Sequence, residues 1–300
     1  MEALLFKKAK TLDEVIDSFL FARKAERYSP ATIHTYDAVL HRFSSSIGGD
    51  QRFDSIDADM VRQYLGGMPH LSDKSIVNIH IVLSSLWTWA VDNGHADEHI
   101  LHKVKKPKYL KKRIEPYTEE EVQRIFRTCR YRRDKAVVMV LLDTGMRATE
   151  LINLNIEDWV DGILRIQKGK GNKSREVPLS KPTEDILFRY LCKRKIRPDG
   201  IDGGDALFAN VIGGKRMNYY SLRSLMDRIE ENSSVPNVFA HRFRHTFAIT
   251  FLRNGGDIYT LKRILGHSTL TMVQNYLDIV RADVITAHAK ASPVVNWMIG

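Results

Sequence analysis

The sequence predicts a mainly α-helical chain with a small β-sheet, split into a helical N-terminal domain and a mixed α/β second domain. Three observations carry this expectation. About one hundred N-terminal residues hold four stretches of helical periodicity and no alternating run. Further on, two alternating runs, Gly162–Gln167 and Arg175–Leu179, flank the glycine-rich turn KGKGNKS. Between these regions lies Lys103–Arg113, KVKKPKYLKKR, with seven basic residues in eleven and no acid. The expected boundaries are therefore 1–102 for the helical domain, 103–115 for a basic linker and 116–300 for the second domain.

Composition narrows the function classes. Of 300 residues 43% are hydrophobic, enough for a sizeable core and too many for a disordered chain. The longest purely apolar run, Ala136–Leu142, is seven residues, far short of a membrane span. The opening MEALLFKKAK lacks the long apolar region of a signal peptide, so a cytoplasmic protein with no membrane partner is expected. Cys129 and Cys192 show no CxxC spacing, which leaves disulfide and zinc-finger readings weak. The net charge of +10 and the pI near 9.5 favour a polyanionic partner.

The elements follow in order. Thr11–Ala25 carries Leu12, Val15, Ile16, Phe19 and Leu20 on one helical stripe. Ser29 and Pro30 supply an N-cap and a first helical residue for a second helix, ended by Gly48-Gly49. A third runs from the cap Asp57 to Leu65, and a fourth from near Ser72 to Asp92, its face marked by Ile76, Ile79, Leu83, Leu86 and Trp89. In the second domain, Thr118 and Glu121 form a capping box, and Arg133–Leu142 is a strongly apolar helix turned at Thr144-Gly145. After the hairpin come helices over Thr183–Lys195 and Asn218–Glu231, separated by a glycine-rich loop. Asp257 and Ser268 have the chemistry of N-caps, with Gly266 ending the helix between them. A further helix-like tail over Ala282–Gly300 is interrupted at Pro293.

The chemistry concentrates in His241–Tyr276. His241, Arg244 and His245 stand at i, i+3 and i+4 and so share one helical face. His267 and Tyr276 close the stretch. Cleaving a phosphodiester needs a nucleophile, charge stabilisation on the non-bridging oxygens and a proton for the leaving oxygen. Arg147 and Arg244 fit the second need, because guanidinium grips phosphate with two hydrogen bonds and keeps its charge. Lys170, in the hairpin turn, is a mobile cation able to protonate an alkoxide. Tyr276 is a phenol that needs neighbouring cations and a base before it can attack. Taken singly, Lys170 reads equally as an exposed turn lysine and Tyr276 as packing. The His241/His245 pair also has zinc-ligand spacing, but Arg242 stands where an HExxH site needs glutamate and Arg244 lies between the histidines. No metal and no cofactor are expected.

In combination these segments resemble the tyrosine recombinase (phage integrase) family over nearly the whole chain, most strongly from Thr118 to Tyr276. TGMRATEL is similar to the family's first arginine box, with Arg147 the catalytic arginine and Glu150 the acid supporting it. GKGNKSREVPL is similar to the hairpin bearing the catalytic lysine, Lys170. HRFRHTFA matches the H-x-x-R-H box, giving His241 and Arg244 with His245 beside them, and LGHST before Tyr276 gives His267 and the nucleophile. The resemblance implies a SAM-like core-binding domain followed by a tyrosine-recombinase catalytic domain. It implies attack by Tyr276 to form a 3′-phosphotyrosyl bond, with His241 assisting proton transfer and His245 supporting the site from behind. It implies a double-stranded DNA partner held by a homo-tetramer, compatible with a monomer in solution. The linker and turn cations Lys103, Lys105, Lys106, Lys108, Lys111, Lys112, Arg113 and Lys173 would then contact DNA phosphates. About ten residues precede the first helix, which suits a two-domain, Xer-like layout. Two alternatives remain at this stage, a catalytically silent DNA-binding relative and a type IB topoisomerase.

Overall fold

Thr11 starts the first helix, α1 (Leu12–Ala25), with a reciprocal cap: its hydroxyl accepts from the Glu14 N–H and its own N–H donates to the Glu14 carboxylate at 2.9 Å. The computed structural model describes residues 10–109, 114–167, 174–194, 205–210, 214–267, 269–270, 273–274, 276, 288–289 and 292–296. The chain forms two compact units, Met1–Lys112 and Arg113–Gly300.

In the first unit α2 (Pro30–Ile47) is capped by Ser29, α3 (Ala58–Gly66) by Asp57 and α4 (Asp73–Asp92) by Ser72. Each cap satisfies an N–H that the first helical turn leaves without an intrahelical partner. The core is aromatic. Phe53 stacks on Trp87 with ring centroids 4.9 Å apart, and Phe43 lies edge-on to both Trp87 and Tyr64. α4 packs against both α1 and α2, so its buried face is broad and includes Val82 and Trp87. Trp89, expected in the core, is only partly buried and sits edge-on to Phe19 at 5.8 Å. The start of the basic run belongs to this core as well. Val104 is buried, the buried His80 donates Nε2–H to its carbonyl at 2.7 Å, and Arg62 donates to the Lys103 carbonyl at 2.8 Å.

In the second unit, α5 (Glu119–Thr128) begins at the Thr118/Glu121 capping box and α6 (Arg132–Thr144) ends at Gly145, whose φ of 59° is the left-handed conformation suited to glycine. α7 (Ala148–Asn153) follows after two residues. The antiparallel sheet has the order β1-β2-β3, with β1 (Trp159–Val160), β2 (Ile163–Ile166) and β3 (Arg175–Pro178). β2 and β3 are the expected pair, registered from Ile163↔Pro178 to Ile166↔Arg175. β1 was not expected. It joins β2 through Asp161-Gly162, both at positive φ, the two-residue turn that matches strand twist.

α8 (Lys181–Lys193) starts two residues earlier than its periodicity suggested, with Pro182 in the first turn where no N–H is missed. α9 (Tyr219–Ser233) is capped by Asn218, α10 (Ala240–Arg253) carries the HRFRH box, and α11 (Ile258–Leu265) runs from the cap Asp257 to Gly266. α6, through its apolar run Ala136–Leu142, packs against α8 and α10 at the centre of the main core. A smaller core of Ala248, Ile249, Leu261, Leu265, Val273 and Tyr276 lies under α10 and α11. His288 and Ala289 are helical, Ser292 is not, and Pro293 opens a short helix, Pro293–Asn296, so the tail breaks just before the proline as expected. The expected cap Ser268, the hairpin turn 168–173 and most of the tail lie outside the described residues. Among the described residues no helix is long and apolar enough to cross a membrane.

Candidate functional site

The site is built on two chain reversals, at Gly145 and Gly266, that one arginine joins. Gly145 ends α6, and the chain re-enters a helix at α7 with Arg147 as its N-cap residue. Glu150, one turn into α7, accepts the Arg147 backbone N–H at 2.8 Å through Oε2 and the Arg147 guanidinium at 2.8 Å through Oε1. From β3, Arg175 grips the same carboxylate with both ends of its fork, at 3.0 and 2.7 Å, and donates Nε–H to the Ile264 carbonyl at 2.7 Å. Burial of Glu150 opposes its charge, but Arg175 and the Arg147 backbone and side chain outweigh that and hold its pKa at about 2.

α10 supplies the second arginine. Arg244 is 1% exposed and forms no ion pair with a carboxylate among the described residues. It donates to the Gly145 carbonyl at 2.7 Å, to the Leu265 carbonyl at 2.8 Å and to His267 Nε2 at 2.5 Å. It thereby bolts the turn before Arg147 to the turn before His267. Burial, together with the charge of Arg147, lowers its pKa to about 10, so it remains a cation at neutral pH. Burial and the three nearby guanidinium groups of Arg244, Arg147 and Arg175 push His267 down to about 4, so its ring is neutral at pH 7. With Nε2 accepting from Arg244, the proton of that neutral imidazole is assigned to Nδ1.

Tyr276 is 4% exposed, with its hydroxyl facing Arg244. Burial raises its pKa, opposed by Arg244 and Arg147, which favour the phenolate. The His245 ring lies 5.2 Å from the Tyr276 ring and 4.7 Å from the His241 ring, both edge to face. His245, expected behind the site, thus has its ring directly against the phenol. Burial and the charges of Arg244 and Arg147 lower the His241 pKa, which keeps that ring neutral and able to take a proton.

Arg147, Glu150, His241, Arg244, His245, His267 and Tyr276, drawn from four separate segments, therefore come together. Two cations with N–H donors to spare, neutral imidazoles and a buried phenol make an arrangement able to bind an anion and direct a nucleophile at it. Among the described residues no three His, Cys, Asp or Glu side chains converge as a metal-binding group. Of the linker cations, Lys103 pairs with Glu98 at 2.7 Å, while Lys105, Lys106 and Lys108 are exposed. Lys111, Lys112, Arg113, Lys170 and Lys173 lie outside the described residues.

The partly buried Arg175 and the buried Arg242 were not given a role from the sequence. Arg175 shares a strand face with the buried Val177, so alternation places a cation inward and calls for a buried acid. Arg242 turns away from its histidine neighbours. It donates to Glu121 at 3.0 Å and to the Glu115 and Pro236 carbonyls, with its guanidinium 4.0 Å from the Tyr117 ring centroid. It fixes the start of α10 to the start of α5.

Comparison with known proteins agrees with this geometry. Residues 116–282 match the phage integrase family profile. Over 296 residues the chain is 27% identical to tyrosine recombinase XerC of Staphylococcus epidermidis, covering 94% of this chain and 98% of that one. The structure of the Tn1549 transposon integrase in complex with a circular intermediate DNA superposes with a TM-score of 0.75 at 20% identity, covering 92% of this chain and 99% of that one. The lambda integrase tetramer bound to a Holliday junction gives 0.74 at 18% identity, covering 90% and 78%. At such identities the two structural likenesses speak for the fold, and the family profile, spanning more than half of the chain, decides membership: the chain belongs to the phage integrase family and is a tyrosine recombinase, an enzyme that cleaves and rejoins DNA strands.

Proposed function

We propose that this protein is a site-specific recombinase acting on double-stranded DNA in the cytoplasm, through a 3′-phosphotyrosyl intermediate within a tetrameric synapse. The observation that carries the proposal is the buried Tyr276 phenol set against His245 and facing Arg244, with the Arg147 charge close enough to favour its phenolate. In this reading Arg147 and Arg244 take the non-bridging oxygens of the scissile phosphate. His241 accepts the Tyr276 proton, and the phenolate oxygen attacks phosphorus as the 5′-oxygen leaves. Lys170 protonates that oxygen, giving a free 5′-hydroxyl. When the phosphate draws Arg244 away, His267 Nε2 is released, and the nearby negative charge raises its affinity for a proton that it can share with the phosphate. Attack by a 5′-hydroxyl from a second duplex reverses the step, because the bond energy is retained in the phosphotyrosine. The 1–102 domain and the cations of the 103–115 linker bind the duplex phosphates, and residues 116–300 carry the chemistry. The tetramer bound to a Holliday junction in the related lambda integrase supports a four-subunit assembly.

A duplex nicked beside the cleavage position tests this, since loss of the short fragment traps the covalent adduct. The wild-type chain is expected to give a protein–DNA adduct that survives denaturation, and Tyr276→Phe none. An adduct with Tyr276→Phe, or none with the wild type, overturns the assignment.

A further inference from the structure

Glu150 is shared unequally by its two arginines. Arg175 occupies both carboxylate oxygens, whereas the Arg147 guanidinium reaches Oε1 through Nη1 alone. A guanidinium has five N–H donors, so this arrangement engages one of those of Arg147, a side chain 25% exposed, and leaves the others without a protein acceptor among the described residues. Arg175 is itself fixed. Its Nε–H is bound to the Ile264 carbonyl, and a Cβ built on Gly266 would come within 2.9 Å of its Nη1, so its fork fills the space against the residue preceding His267. It is also the closing residue of the β2–β3 register, opposite Ile166, at the base of the hairpin whose turn contains Lys170. One side chain therefore touches the arginine box on α7, the end of α11 before His267, and the root of the hairpin.

We propose that Arg175 is a positioning residue for strand cleavage: by holding both oxygens of Glu150 it prevents that carboxylate from closing bidentately on Arg147, and so keeps the Arg147 donors available to the phosphate. The inference rests on the reading of Arg147 as a phosphate ligand given under Proposed function. With Arg175 shortened or neutral, Arg147 is the one cation left that is hydrogen-bonded to the buried carboxylate, since Arg244 is held by the Gly145 and Leu265 carbonyls. Carboxylate and guanidinium match as fork to fork, and Arg147 would be drawn in and its charge cancelled.

The test is single-turnover cleavage of the nicked duplex at saturating protein, with DNA affinity measured separately. Arg175→Met is expected to slow cleavage about a hundred-fold, the scale of a misplaced catalytic group, while affinity changes less than about three-fold. Removing the Glu150 charge as well, in R175M/E150Q, is expected to recover about ten-fold of that loss, because Arg147 is released. A merely structural role for Arg175 predicts the opposite, a double variant no faster than the single one, and that result overturns the proposal. Cleavage by R175M within about three-fold of wild type overturns it too. Should R175M fail to fold by circular dichroism, R175K and R175K/E150Q make the same comparison with a cation retained, and absence of recovery has the same force. Tyr276→Phe runs alongside: an adduct there means the site reading has failed, whereas no adduct there with unimpaired R175M means this inference alone has failed.

Discussion

The two units bury different kinds of side chain. Among described residues the first encloses Phe19, Phe43, Phe53 and Trp87 with only Ser44 and His80 as buried polar groups, while the second encloses Arg133, Asp134, Glu150, Asp158, Arg242 and Arg244. Apolar burial stabilises a fold in proportion to the area removed from water. Buried charges do not, since desolvation cancels much of their attraction. The second unit also divides internally. Arg133 and Arg228 share the Asp134 carboxylate, Arg242 pairs with Glu121, and these ion pairs hold helices together. Among the described residues Arg244 donates to two carbonyls and a neutral imidazole and meets the Tyr276 phenol, and no carboxylate is in direct ion-pair contact with it. The difference indicates that the first unit is built for stability and the Arg147–Arg244 region for an anion.

The largest expected effect on folding is therefore in the first unit. Trp87→Ala removes the ring stacked on Phe53 and edge-on to Phe43, and should cost about 3–5 kcal/mol in chemical denaturation. A loss below about 1 kcal/mol would mean that this aromatic cluster is not the keystone of its unit.

Arg244→Met should show the reverse pattern. Two buried carbonyls lose a donor, but repulsion from Arg147 and Arg175 is relieved, so stability should change by less than about 2 kcal/mol. Cleavage should fall by about 10²–10³, the scale found when one preorganised donor to a developing anion is removed. If stability falls as far as with Trp87→Ala while the cleavage rate of the folded fraction holds, the contrast between the units is wrong.

These contrasts were unevenly legible in the sequence. Helix starts were readable because a capping box is a four-residue signal: Thr118/Glu121 forms the one that was expected, and Thr11/Glu14 forms another. The two-residue β1 is too short to show alternation, although the Asp161-Gly162 dipeptide before β2 was a usable hairpin sign. The residue types of the site were visible in its boxes, but the partners were not. Arg175 meets Glu150 across 25 residues and Arg244 meets Gly145 across 99, and no local period encodes such pairings. The contact of His245 was not legible for a related reason: helical spacing gives its face, but not that the Tyr276 ring returns to pack on it.

Acid should separate the units by the smallest of these effects. His267 has its pKa lowered from an ordinary 6.5 to about 4 and Glu150 from 4.5 to about 2, and both belong to the second unit. For each, the unfolded chain binds the proton first, so stability is lost as pH falls from the unfolded value toward the folded one. His267 acts between about pH 6.5 and 4 and Glu150 between about 4.5 and 2. Taking the second unit from pH 7 to 5 draws on His267 together with His241, whose pKa is lowered as well, and the His267 share, discounted for its partial exposure, should cost about 1–2 kcal/mol. In the first unit the one carboxylate with a lowered pKa, Asp54, is fully exposed and offers no comparable lever. Hydrogen exchange on the full chain, corrected for intrinsic rates, should show α7 and α10 losing protection over that range while α4 keeps it. His267→Gln should flatten the response of α7 and α10. Equal losses in α4 and α10, or an undiminished response in His267→Gln, would mean that the acid sensitivity does not arise from the imidazole held beside Arg244.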